Sequence, residues 1–169
     1  LPGTVAMDRF DNGGQGVAYF DTSAGNAGGV ARAADVDLEL SSLGVPDIGW
    51  TADGEWVQYS VTVAAAGTYK VTAKVASPYD TGRLRLTVGS VTLATQAVPN
   101  TGGWQAWRDM SWTATLNAGA QPLTIVVDAG GFNVASLVVE GAVTATAGPT
   151  APPPPPPAPT APTGQTIYV

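Results

Sequence analysis

The chain has 169 residues, 44% of them hydrophobic and 12% charged, with 21 Gly, 14 Pro, no Cys and no His, a length that buries one substantial core and leaves room for a tail. The missing Cys removes any disulfide framework or thiolate metal site, and the missing His removes Ser-His-Asp and Cys-His catalysis together with His-based zinc or copper sites. A net charge of −6 opposes capture of nucleic acid or an anionic membrane, and no run approaches the roughly 18 apolar residues that span a bilayer.

In chain order, Leu1-Pro2-Gly3-Thr4 lacks the basic and apolar regions of a signal peptide, so the chain reads as mature and soluble. Asn12-Gly13-Gly14-Gln15-Gly16 has neither the Lys nor the helix that a phosphate loop requires, and is read as loop geometry. The carboxylate pairs Asp35 and Asp37, and Asp53 and Glu55, have the composition needed for glycoside hydrolysis. Turn and solvated roles are favoured instead: Asp47 and Asp53-Gly54 are read as turn residues and Glu39 as a strand-end charge. No enzyme activity is expected.

Strict apolar alternation begins with Val57, Tyr59, Val61 and Val63. It recurs at Tyr69, Val71, Ala73 and Val75, at Leu84, Leu86 and Val88, at Leu123, Ile125 and Val127, and at Val134, Ser136 and Val138. Period-2 patterning marks half-buried strands, and antiparallel strands with two faces to cover imply a β-sandwich. Ala66-Gly67-Thr68 and Gly89-Ser90 are read as hairpin connections, the second a two-residue turn in which Gly accepts positive φ.

Five Trp could supply an aromatic platform for the flat C–H faces of a sugar, with amides or carboxylates holding hydroxyls at the rim. Trp56 lies in strand alternation, and Trp107 and Trp112 in a predicted strand, so packing roles are expected for all three. Trp104 follows Gly102-Gly103 and is either a ligand contact or a packing residue.

Near Gly141 the composition changes. Residues 143–163 are rich in Pro, Thr and Ala and include the unbroken Pro152 to Pro157, a polyproline II spacer. Pro152 to Pro159 would extend roughly 25 Å at about 3.1 Å per residue. Residues 164–169 return to β-forming types and end in Thr166-Ile167-Tyr168-Val169. Ile167 and Tyr168 are candidates for strand addition to a neighbouring sandwich, a route to self-association. Thr144, Thr146, Thr150, Thr160 and Thr163 sit in the setting of O-glycosylated stalks of exported proteins, which points to a secreted, extracellular protein.

Several segments then occur in one order: Gly3-Thr4-Val5-Ala6-Met7-Asp8, Asp11 to Tyr19 (DNGGQGVAY), Val36-Asp37, Gly49-Trp50, Gly54-Glu55-Trp56, Gly67-Thr68-Tyr69, Gly102-Gly103-Trp104 and Gly131-Phe132-Asn133. Together they resemble carbohydrate-binding modules of family 6 across nearly all of residues 1 to 140. The resemblance implies a jelly-roll type β-sandwich over residues 1–142 that binds polysaccharide without catalysis. It matches Trp104 to a stacking Trp and Asn133 to an Asn that reaches a sugar hydroxyl. The companion Tyr of the family falls at Ala31, just before the matching Arg32, which implies a reduced cleft. Its structural calcium site is matched at Asp8, while Ala6 and Ala135 occupy positions that often supply further ligands; alanine offers no side-chain oxygen, so no bound ion is expected. Two functions follow: a carbohydrate-binding module joined through the proline linker to another module, or a structural subunit of an extracellular fibre assembled through the tail.

Overall fold

The computed structural model describes residues 1–142. The linker at 143–163, the segment 164–169 and the residues singled out there (Thr150, Thr160, Thr163, Ile167 and Tyr168) lie outside the described residues.

Eleven strands form among the described residues: β1 (Gly3–Ala6), β2 (Tyr19–Phe20), β3 (Leu38–Leu40), β4 (Pro46–Ile48), β5 (Trp56–Val63), β6 (Gly67–Ala76), β7 (Arg83–Val88), β8 (Val91–Ala97), β9 (Arg108–Leu116), β10 (Gly119–Ala129) and β11 (Asn133–Ala142). One sheet has the order β3-β4-β11-β6-β9, with β1 also paired to β11; the other has the order β2-β5-β10-β7-β8. All of these strand pairs are antiparallel. A single 3-10 turn, Met7–Arg9, follows β1 and buries Met7.

The alternation read from the sequence is the inward face of β5, β6, β7 and β10, but not of β11, where the register shifts after Val134, so that Ser136 and Val138 face outward beside Lys70 and Glu140 and Leu137 and Val139 enter the core. Val57, Tyr59 and Val63 of β5, Leu123 and Ile125 of β10 and Leu84 and Leu86 of β7 are buried against Tyr69, Val71 and Val75 of β6 and Val134, Leu137 and Val139 of β11. The register sets Ile125 between Val57 and Leu86, so one residue packs two neighbours within its own sheet while it enters the core shared with the second sheet. Each fully buried aliphatic side chain contributes roughly 1.5–3 kcal/mol relative to exposure. The outward positions are closed by charge pairs on neighbouring strands: Lys70 with Glu140 at 2.6 Å, Lys74 with Asp109 at 2.5 Å and Arg85 with Asp128 at 2.7 Å.

The Gly89-Ser90 turn closes the β7–β8 hairpin, with Val88 opposite Val91 and Gly89 at φ 55°. Ala66-Gly67-Thr68 does not make a hairpin. β5 and β6 belong to different sheets, so the connection crosses from one layer to the other, as do those from β9 to β10 and from β10 to β11. Period-2 alternation says which face of a strand is buried and carries no information about which strand lies beside it.

The loop before β3 is strapped down by its own side chains. Asn26 Oδ1 accepts from the Leu38 amide at 2.8 Å, and Asp37 Oδ1 accepts from the Ala27 amide at 2.6 Å. Gly28 lies so close beneath this strap that an added Cβ would stand 2.7 Å from the Leu38 carbonyl carbon and 2.9 Å from the Glu39 Cα. Backbone cannot yield as a side chain does, so Gly28→Ala is expected to destabilise the fold by about 1–3 kcal/mol. Thermal melting should show a drop of several degrees, and an unchanged melting temperature would mean the loop does not lie against β3.

Candidate functional site

Loops at one end of the sandwich bring Trp104 and Asn133 to a single cleft of about 290 Å³, lined also by Glu39, Trp50 and Gln105. Its floor is a polar chain. Asn133, at the start of β11 and buried, donates through Nδ2 to Glu39 Oε1 at 2.8 Å and to the Trp104 carbonyl at 3.1 Å. Glu39 Oε1 also accepts from Gln105 Nε2 at 2.9 Å, and Gln105 Oε1 accepts from the Ser42 amide at 2.7 Å. Both of these bonds to Glu39 fall on Oε1, and neither amide engages Oε2.

The aromatic groups stand above this floor, with Trp50 53% and Trp104 43% exposed. Trp104 is held from the side by the Tyr79 ring, edge-on at 5.7 Å between centroids. Its loop is clamped below by Thr101, whose amide donates to the Ser77 carbonyl and whose Oγ1 accepts from the Ser77 amide, both at 2.8 Å. Trp50 sits in the left-handed region at φ 46°, a conformation of order 1–3 kcal/mol above the ordinary one for a non-glycine residue. The neighbouring Thr51 fixes it there, donating from Oγ1 to the Phe132 carbonyl at 2.6 Å and accepting the Gly131 amide on its own carbonyl at 2.9 Å. A strained, exposed tryptophan held by a buried hydrogen bond is the pattern of a side chain placed for contact.

Arg32 and Ala31 lie elsewhere. The Arg32 guanidinium stacks 3.8 Å over the Phe10 ring, donates to the Phe10 carbonyl, and reaches Asn12 Oδ1 at 2.8 Å. It lines a depression with Asp8, Arg9, Phe10, Asn12 and Ala31, apart from the Trp104–Asn133 cleft. Ala31, at φ 66°, also borders a larger and more open depression of about 740 Å³, whose one aromatic, Tyr19, is buried. The second aromatic of the cleft is therefore residue 50. Sequence reading passed over Trp50, Gln105 and Glu39 as site groups. A tryptophan between Gly49 and a β-branched residue, outside any alternating run, was the available signal for the first.

Two of the sequence expectations for acidic residues are corrected. Glu39 is the middle residue of β3, half-buried in the cleft floor, and Asp47 is the middle residue of β4, fully buried and paired in register with Glu39. Leu38 and Ile48, partners in the same register, fill the core, and the pleat turns Glu39 and Asp47 to the opposite face. Burial, followed by the charge of Glu39, pushes the Asp47 carboxyl up to about 7. The other carboxylates named above hold loops together: Glu55 accepts from the Thr22 and Ala52 amides, Asp35 from the Gly25 amide and Asp53 from the Gly130 amide.

The calcium implied by the resemblance finds no matching donor set. Asp8 lies 3.6 Å from Arg9, Ala6 and Ala135 bring no side-chain oxygen, and no group of three or more His, Cys, Asp or Glu is placed to hold a metal among the described residues. Calcium takes about six to eight oxygen ligands. A chelator is expected to leave the melting temperature unchanged, because an ion bound only to the fold would stabilise it by mass action; a clear drop would show that other oxygens complete a site.

The family model for carbohydrate binding module (family 6) matches residues 27–141. The chain is 31% identical over 125 residues to the clotting factor G alpha subunit of Tachypleus tridentatus, covering 71% of this chain and 17% of that protein. It is 32% identical over 72 residues to the beta-agarase AgaA of Microbulbifer thermotolerans, covering 42% of this chain and again 17% of the relative. Among solved structures it resembles the C-terminal family 6 module of LamC, a marine laminarinase from Zobellia galactanivorans, at 30% identity and a TM-score of 0.61, covering 69% of this chain and 97% of that one. It also resembles the module CBM6cm-2 of Cellvibrio mixtus lichenase 5A, solved with cellotriose, at 23% identity and a TM-score of 0.66, covering 84% and 98%.

Proposed function

This chain belongs to family 6 of the carbohydrate-binding modules, and from that premise we propose that it binds a polysaccharide in the cleft between Trp50 and Trp104. One observation carries the proposal: two exposed indole rings converge with Glu39, Gln105 and Asn133 on one concave site. Apolar sugar faces would rest on the rings, and the Glu39 carboxylate, with the amides it orients, would take the hydroxyls. The polar floor is bonded before any ligand arrives, so little side-chain entropy is lost on binding. Ala31 and Arg32 lie apart from this cleft, so the ring missing at residue 31 takes no contact from it, and Trp50 supplies the second aromatic surface.

The chain spans 17% of the length of the curated relatives named above. We place it as one module of a larger extracellular protein, with residues 143–163 as the linker. Because the 30% identical structural relative comes from a laminarinase, soluble β-1,3-glucan is the first probe. A glycan array and affinity gels should show retention of the chain by at least one polysaccharide, and absence of retention across the panel would overturn the reading.

A further inference from the structure

Behind the cleft floor lies a carboxyl group that sugar binding does not use. Asp47 is fully buried, and neither of its oxygens has a donor. Its register partner across the antiparallel β3–β4 pair is Glu39, which places the two carboxyl groups on one face with Cβ atoms roughly 4.5–5.5 Å apart. The neighbouring Asn133 amide lies close enough to favour the charged form in part, but both hydrogens of its Nδ2 are directed at Glu39 Oε1 and the Trp104 carbonyl, so burial and the Glu39 charge outweigh it. Two adjacent carboxylates that share no donor do not both ionise at low cost. One of them must hold a proton, and the fully buried one is Asp47.

We propose that Asp47 is a positioning residue of the cleft: it is carried as the neutral acid directed toward Glu39, and loss of its proton to solvent sets a second negative charge behind Glu39, disturbs the Glu39–Asn133 floor and weakens glycan binding. The surrounding elements supply no compensating cation. β3 contributes Glu39. β11 contributes Asn133 and Ala135, neither of them titratable, and Gly102 to Trp107 contains no titratable residue. The Met7–Arg9 turn packed near β4 carries Asp8 and Arg9, which face each other at 3.6 Å. The raised value of about 7 for Asp47 puts the change in the neutral range.

The sign for stability follows from the same shift. The folded chain holds the proton more tightly than the unfolded one, whose value is 3.8. The contribution of Asp47 to stability is therefore fully present below about pH 4, is lost as pH rises to about 7, and is absent above that. The binding part rests on the glycan reading, and the stability part does not.

Melting temperature is to be measured against pH for the full chain and for Asp47→Asn, which keeps shape without the charge, alongside affinity for soluble β-1,3-glucan and cellotriose from pH 5 to 8.5. Expected results are a decline toward neutral pH that is clearly smaller in Asp47→Asn than in the parent, Asp21 being a second raised carboxyl present in both, and a loss of parental affinity of about fivefold or more across neutral pH that is absent in the variant. Glu39→Gln, read by melting alone, should move the decline to lower pH, and it keeps the test open if Asp47→Asn does not fold. Identical melting profiles for the parent and Asp47→Asn, or a decline unmoved in Glu39→Gln, would overturn the buried acid. A parental decline with flat affinity would overturn its effect on the cleft. If neither probe binds at any pH while the melting profiles differ as stated, the glycan reading fails and the buried acid stands.

Discussion

Trp104→Ala is expected to remove glycan affinity while leaving the fold in place. The ring is 43% exposed, makes one aromatic contact with the edge of Tyr79, and belongs to a loop whose anchorage comes from Thr101 and Ser77. Little packing is therefore lost with the side chain. The loss to binding is larger, because truncating a tryptophan at the centre of a contact site costs about 2 kcal/mol or more, close to thirtyfold in Kd. Isothermal titration with the glycan selected by the array, run beside a thermal melt, separates the two effects. Unchanged affinity would show that the sugar site is elsewhere; a collapse of the melting temperature would show that the ring belongs to the core.

The largest effect on stability is expected at Phe132. Its ring is fully buried and lies so close to Gly82 that a Cβ there would stand 2.8 Å from Phe132 Cδ1. Its backbone is held at both ends by Thr51, whose Oγ1 donates to the Phe132 carbonyl and accepts the Phe132 amide at 3.1 Å. Phe132→Ala opens a cavity at the end of the core and should cost about 3–5 kcal/mol, a large share of the stability of a domain this size. The melting temperature should fall by roughly 10 °C or more. Asn133 is the next residue, so glycan affinity should fall with it, in contrast to the clean separation expected for Trp104→Ala. A melting temperature within a few degrees of the parent would mean that the ring is not packed as described.

The sequence by itself determined the chemistry of this end of the molecule only in part. Trp104 stood out because two glycines precede it, and Asn133 only through the order of the family's segments; the structure brings the two to one cleft. Glu39 and Asp47 were not legible. A carboxylate beside a turn has the same local pattern whether it is solvated or buried, and the difference is set by the strand that covers it. Asp47 reads as a turn residue beside Pro46, and in the structure it is the fully buried middle residue of β4, opposite Glu39. Trp50 was legible as a family feature but not as a platform, since its left-handed backbone is imposed by Thr51 and Phe132, the latter 82 residues away.

What the sequence determined alone was the class of fold and the inward face of β5, β6, β7 and β10, because period-2 alternation follows directly from the pleat and needs no knowledge of neighbours; in β11 the irregularity after Val134 reverses the faces, and only the structure shows that Leu137 and Val139 point inward. It determined equally that His and Cys chemistry is absent. The tertiary structure alone decided which strands pair, and so that the connection after β5 crosses between sheets, that Arg32 is bound to Phe10 rather than to the cleft, and that Trp50 rather than residue 31 stands with Trp104. These are long-range facts: each depends on groups far apart in the chain meeting in space, and a local pattern of residues cannot specify the partner that the rest of the chain delivers.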